Sequence, residues 1–146
     1  MSRGRWTEPV GALFVLDAQP LSLLADDENR MVALLDVALR EGYLPAVSAV
    51  TIAEVRRSGG AARRLRWLRS RLRVIPVTEE IADEAARLLE ETRLDGHECV
   101  VDALVVATAA ASSGMVKVAS SDASHVAKMC AAASLDRPSP VGWVRV

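Results

Sequence analysis

HECVVDALVVATAAA, residues His97–Ala111, is apolar at most positions yet carries Glu98 and Asp102 one helical turn apart. Burying a carboxylate in such a segment is costly unless something positive holds it. Its neighbours Val100, Val101, Ala103, Leu104, Val105 and Val106 offer no cation. With a helix beginning near His97, Asp102 falls in the second turn, where help from the helix dipole is fading. The rest of the chain has to supply what Asp102 lacks.

On either side of this helix the pattern alternates. Upstream, Arg73–Val77 reads as a strand, with Pro76 pointing to a sheet edge. Thr78, Glu79 and Glu80 then open a helix with a buried stripe of Ile81, Ala85, Leu88 and Leu89, and Asp95-Gly96 is a turn. Downstream, Val116–Ala119 is a strand, Asp122–Ala133 a helix and Val141–Val146 a final strand. Nearer the start, Leu13–Leu16 is a short apolar run that reads as a buried strand stopping at Asp17. A helical turn over Leu21–Ala25 follows. Asp26 or Asp27 is expected to cap a helix with Met31, Leu34, Leu35, Ala38 and Leu39 on one face, ended by Gly42. Leu44–Ala49 is the next strand. A short helix opens at Thr51–Glu54 and fails at Ser58-Gly59-Gly60; Ala61–Leu72 is helical, with Leu65, Trp67, Leu68 and Leu72 turned partly inward.

Strands alternating with helices at this spacing imply βαβ units, an α/β class and a three-layer arrangement around a parallel sheet. Residues 1–11 read as a tail and 12–146 as one domain, a size sufficient for a real core. The chain is 51% hydrophobic, mostly Ala, Val and Leu, with few aromatics, which favours helices packed on short strands. Two distant cysteines, Cys99 and Cys130, read as buried small hydrophobes of a reducing compartment. Val10–Leu16 makes a poor signal peptide, and no uncharged stretch approaches the roughly 20 residues of a membrane span. A soluble, cytoplasmic protein is expected.

In open α/β sheets, ligands gather at the carboxyl ends of the strands. Asp17 and Asp122 stand at two such ends, and Glu54 follows a third strand closely. Each has an ordinary alternative: Asp17 and Asp122 as helix caps, Glu54 as the acid of a Thr51-x-x-Glu54 capping box. Together with Asp102 they change meaning. Like charges at about 5 Å and an effective dielectric near 20 repel by roughly 3 kcal/mol per pair. A divalent cation resolves that strain, and oxygen ligands without a His or Cys cluster point to Mg2+ or Mn2+. Such a centre suits phosphodiester hydrolysis.

The chain resembles PIN-domain ribonucleases, most closely the VapC-like toxins of VapBC toxin–antitoxin pairs. The resemblance rests on FVLDA at Phe14–Ala18, VSAVTIAEV at Val47–Val55, VVDALVVATA at Val100–Ala109 and Ser120–Asp122 at a strand end. It implies a PIN-like three-layer α/β/α fold with a parallel, roughly five-stranded sheet, and a Mg2+-dependent endoribonuclease. Asp17 and Asp102 would be the principal metal ligands, Asp122 would complete the cluster, and Glu54 would bind a second metal directly or through water. Ser120 matches a small hydroxyl near the site, and Glu98 becomes an accessory acid. RNA as substrate, a small antitoxin and a homodimer are the implied partners. The chain departs from the family pattern at Gln19-Pro20, where a small polar residue is common, and at Cys99, where an extra acid often stands. Both departures bear on metal stoichiometry more than on the fold, and Gln19-Pro20 keeps a catalytically inactive PIN-like scaffold as the alternative, against the retention of all four acids. A receiver-type phosphotransfer domain fits less well, because an acidic pair at the first strand end and a lysine near the last strand are absent.

The formal charge is only −1, but Arg56, Arg57, Arg63, Arg64, Arg66, Arg69, Arg71 and Arg73 crowd together directly after Glu54. Arg56, Arg57, Arg63 and Arg64 are candidates for RNA contact, against a solvated face or a partner surface. His97 and His125 are taken as structural or solvent-facing.

Overall fold

A computed structural model describes residues 11–146, so the expected tail lies, apart from Gly11, outside the described residues. The elements in order are β1 (Ala12–Leu16), α1 (Ala18–Ala25), α2 (Asn29–Arg40), β2 (Tyr43–Ser48), α3 (Ala49–Glu54), α4 (Gly59–Arg71), β3 (Arg73–Ile75), α5 (Glu79–Thr92), α6 (Gly96–Ala110), β4 (Val116–Ser120), α7 (His125–Ser134) and β5 (Val141–Arg145).

The five strands form one parallel sheet in the order β3-β2-β1-β4-β5. β1 is central, and its run Leu13–Leu16 is buried on both faces, as a covered parallel sheet requires. Leu13 and Val15 pack into a core shared with α5, α6 and α7; Phe14 and Leu16 pack with α1, α2 and α4 on the other side. The three-layer α/β/α reading therefore holds. Pro76 follows β3, which is an edge strand as expected and only three residues long. α6 is the most deeply seated helix: Cys99, Ala103, Val105, Val106, Ala107 and Ala109 are all buried. Each fully buried valine stabilises the fold by about 1.5–3 kcal/mol, an upper range because unfolded chains already bury some surface.

The strand order places β2 and β3 on one side of β1 and β4 and β5 on the other. The direction reverses between β1 and β4, where an α/β sheet opens a crevice at its carboxyl edge. Register brings Leu16 beside Ala119 there, so the residues that follow, Asp17 and Ser120, come out side by side.

Several helix boundaries differ from those the sequence suggested. α1 begins immediately after Asp17 and not at Leu21; Pro20 sits in its first turn, where a missing N–H costs nothing. Glu28 caps α2, accepting from Arg30 N–H (3.3 Å) and Met31 N–H (2.9 Å). Asp26 instead ends α1, and Asp27 takes a left-handed turn at φ 57°. α3 starts at Ala49 under a Ser48 cap, so Thr51 and Glu54 form no capping box: Thr51 is inside the helix and Glu54 is its last residue. α4 begins two residues earlier than expected, at Gly59. Leu68 and Leu72 are buried, but Trp67 is 55% exposed, and Leu39 of α2 is also exposed. α7 starts at His125, with Asp122 left in the turn before it.

Candidate metal centre at the carboxyl edge of the sheet

Asp17 leaves β1 buried and faces two ways. Its Oδ1 accepts from Ala18 N–H at 2.8 Å, capping α1, and its Oδ2 accepts from the Ser120 hydroxyl at 2.7 Å. That hydroxyl, itself buried, also accepts from Asp122 N–H at 3.1 Å. One small side chain at the end of β4 thus fixes two acids from different parts of the chain. Asp122 accepts from the backbone N–H groups of Ser124 (3.0 Å) and His125 (2.7 Å) and from the Ser124 hydroxyl (3.0 Å). Burial alone would raise its pKa; these hydrogen bonds and the nearby imidazole reverse that and leave it below the ordinary value.

Asp102 meets them from the second turn of α6. Oxygens of Asp102 and Asp122 and a ring nitrogen of His125 lie within 4.8 Å of one another. The Asp102 carboxyl is pushed up to about 6, first by burial, then by the charges of Asp17 and Asp122, with His125 pulling the other way. Glu54 stands at the rim. Its carboxyl is also raised, by partial burial and then by Asp17 and Asp102. Four carboxylates from β1, α3, α6 and the β4–α7 turn thus sense one another across the crevice. The donors that lie within 4.8 Å of one another, the carboxylates of Asp102 and Asp122 and the imidazole of His125, fit a divalent cation, with Asp17 and Glu54 near them but outside that group.

The other residues singled out from sequence fall as follows. Ser120 sits between the acids. Glu98 is exposed in the first turn of α6, and the repulsion on Asp102 is led by Asp17 and Asp122 and not by it. Cys99 is buried on the inner face of α6, its thiol raised first by desolvation and then by Asp102. Cys130 is pushed up to about 12 by burial and by Asp17, so both thiols are inert. Gln19 is exposed on α1 and Pro20 is buried in the first turn of that helix. Arg56, Arg57, Arg63 and Arg64 are exposed. Arg57 bonds Asp26 at 3.0 Å and Arg64 approaches Asp27 at 3.8 Å, at the opposite end of α1 from Asp17.

His125 is the residue sequence reading set aside. Its Nδ1 is 3.3 Å from Asp122 Oδ2, inside the acidic group. The available signal was its position: three residues after Asp122, in the first turn of the following helix, it shares that acid's face.

A family model described as PIN domain matches residues 14–129, from β1 into α7. No curated protein sequence matches the chain. Among solved structures, the fold is similar to a toxin–antitoxin complex from Klebsiella pneumoniae at 20% identity and TM-score 0.63, over 77% of this chain and 89% of that one. It is also similar to VapBC2 from Rickettsia felis bound to a DNA fragment from their promoter, at 11% identity and TM-score 0.63, over 92% and 98% of the two chains.

Proposed function

Since this chain belongs to the PIN domain family, we propose that it is a divalent-metal-dependent endoribonuclease, the VapC-like toxin of a toxin–antitoxin pair. The observation that carries the reading is the convergence at one sheet edge of Asp17 and Asp122, both tied to Ser120, with Asp102. The donor atoms of Asp102, Asp122 and His125 lie within 4.8 Å of one another, and the Asp102 carboxyl is pushed up to about 6 by burial and by the facing acids. Strongly perturbed acids in a cleft are candidates for a functional site. Asp17, Asp102 and Asp122 would hold the metal, with Glu54 joining directly or through water. His125 adds a nitrogen donor, which Mn2+ accepts more readily than Mg2+. When bound, the metal supplies a nucleophilic water at neutral pH and supports charge on the phosphate.

The chain's own residues prepare that chemistry. Ser120 holds Asp17 in one rotamer and sets the distance to Asp122. The two backbone N–H groups at the start of α7 favour the carboxylate form of Asp122 and fix its orientation. α6, locked by its buried valines, presents Asp102 rigidly, as ligation geometry demands. That the similar structures are toxin–antitoxin complexes supports an antitoxin partner here; a homodimer in the cytoplasm belongs to the same proposed reading.

Cleavage of RNA with Mg2+ or Mn2+ tests the reading, with Asp17→Asn and Asp102→Asn beside the wild type. Metal-dependent cleavage lost in both variants is expected. Folded wild type that cleaves nothing would overturn the enzyme and leave an inactive scaffold. Co-purification with a small protein encoded next to this chain tests the antitoxin separately.

A further inference from the structure

From Val55 to Thr78 the chain carries eight arginines and no acid. Most of that segment is α4, whose outer face is exposed. Arg57 and Arg64 spend charge on Asp26 and Asp27. Arg63, Arg66 and Arg69 have no ion-pair partner among the described residues. Amid these guanidinium groups stands Trp67, with over half of its surface open. The Arg71 guanidinium lies 4.8 Å from the ring centroid, stacked against it. The ring also lines an open groove of about 460 Å3 together with Gly60, Arg63 and Arg64.

An exposed indole is unfavourable in water, and Trp67 stands outside the core that Leu68 of α4 and Leu72 just after it join. Its surroundings select the ligand. A flat ring backed by a guanidinium and bordered by Arg63, without an ion-pair partner among the described residues, and by Arg64, only loosely held at 3.8 Å from Asp27, is what a base with flanking phosphates requires. An acidic peptide would need apolar pockets for anchoring side chains, and this groove is lined by one ring, two guanidinium groups and a glycine. Position agrees. α1 separates Asp17 at its start from the Arg57 and Arg64 contacts at its end, about 13 Å at 1.5 Å per residue. That is a span of a few nucleotides.

We propose that the Trp67 groove is a subsite for single-stranded RNA, in which one base stacks on Trp67 while Arg63 and Arg64 hold the adjoining phosphates. It deepens the ribonuclease reading, on which it rests, by placing substrate contacts away from the acidic centre. The subsite is tolerant of base identity, because stacking uses the π-face common to all bases.

The test is equilibrium binding of a fluorescein-labelled oligouridylate in EDTA, where no metal supports cleavage, followed by anisotropy. Trp67→Ala is expected to weaken binding about tenfold or more, and Trp67→Phe to restore most of it. Arg63→Ala should flatten the dependence of log affinity on log salt by about 0.7. Circular dichroism establishes that each variant is folded. Unchanged affinity in folded Trp67→Ala overturns the subsite, as does Trp67-dependent binding of an oligoglutamate peptide in place of RNA. The two readings separate cleanly. Wild-type cleavage with Trp67-independent binding sinks the subsite alone, whereas Trp67-dependent binding without metal-dependent cleavage sinks the enzyme alone.

Discussion

α4 and α6 are of similar length, 13 and 15 residues, and the chain uses them in opposite ways. α4 carries five arginines and buries only Leu68; α6 buries seven of its residues and has its acids at Glu98 and Asp102. Charge on α4 faces water and costs little, so its amount says little about what it is for. Charge on α6 sits against a core, and Asp102 answers by holding its proton up to about pH 6. The meaning of an ionisable group depends on what it displaces, and a single acid among valines carries more information than a run of arginines.

Four experiments break or sharpen that contrast. Asp102→Asn should reduce metal-dependent RNA cleavage by about 10³-fold, the equivalent of the several kcal/mol a correctly held metal supplies. Removing a single α4 charge, as in Arg66→Ala, should leave single-turnover cleavage at saturating RNA within about threefold. Next, Ser120→Ala deprives Asp17 Oδ2 of its donor and Asp122 N–H of its acceptor. Mn2+ affinity by calorimetry should fall about 10- to 100-fold, as for other groups that orient ligands.

The third concerns packing. Val106→Ala, at a fully buried α6 position, should cost about 2 kcal/mol in urea unfolding, and Arg66→Ala should stay within about 0.5 kcal/mol. The last is a matter of sign. Asp102 has a folded pKa raised to about 6 from 3.8, so between those values the metal-free native state binds more protons than the unfolded chain. Its contribution to stability is therefore intact at low pH and lost as pH rises through about 6. In EDTA, Asp102→Asn should be more stable than wild type by about 1 kcal/mol near pH 7.5, after discounting for its partial exposure, and show no advantage near pH 4. Mn2+ should invert the order at neutral pH, stabilising the wild type and not the variant.

Most of the sheet was legible because strand and helix periods differ and the strands are short continuous apolar runs. The acids at strand ends were legible for the same reason, since the end of an apolar run is visible. Helix starts were less so. Asp26 and Asp27 look like caps, but the chain needs them for the turn out of α1, and the longer Glu28 reaches the N–H groups of α2 instead. Thr51 and Glu54 match a capping box in spelling, yet Ser48 three residues earlier begins the helix. That frees Glu54 to end α3 at the crevice. Amphipathic spacing placed Trp67 with Leu68 on a partly inward face, though neighbours in sequence are about 100° apart on a helix and only one of them points inward. His125 was passed over because a lone histidine says nothing until its turn is known.

Asp17 holds the first N–H of α1, and Asp122 receives three hydrogen bonds at the approach to α7, whereas Asp102 caps no helix. Damage to the first two acids therefore threatens the scaffold together with the chemistry, unless asparagine, itself a good cap, takes their place. Damage to the third spares the scaffold and relieves it of a strained charge. If cells are selected for surviving high expression of this chain, escape mutations at position 17 should be narrow in kind or yield little protein. Those at position 102 should be varied among small uncharged residues and leave abundant, soluble chains still able to occupy a partner.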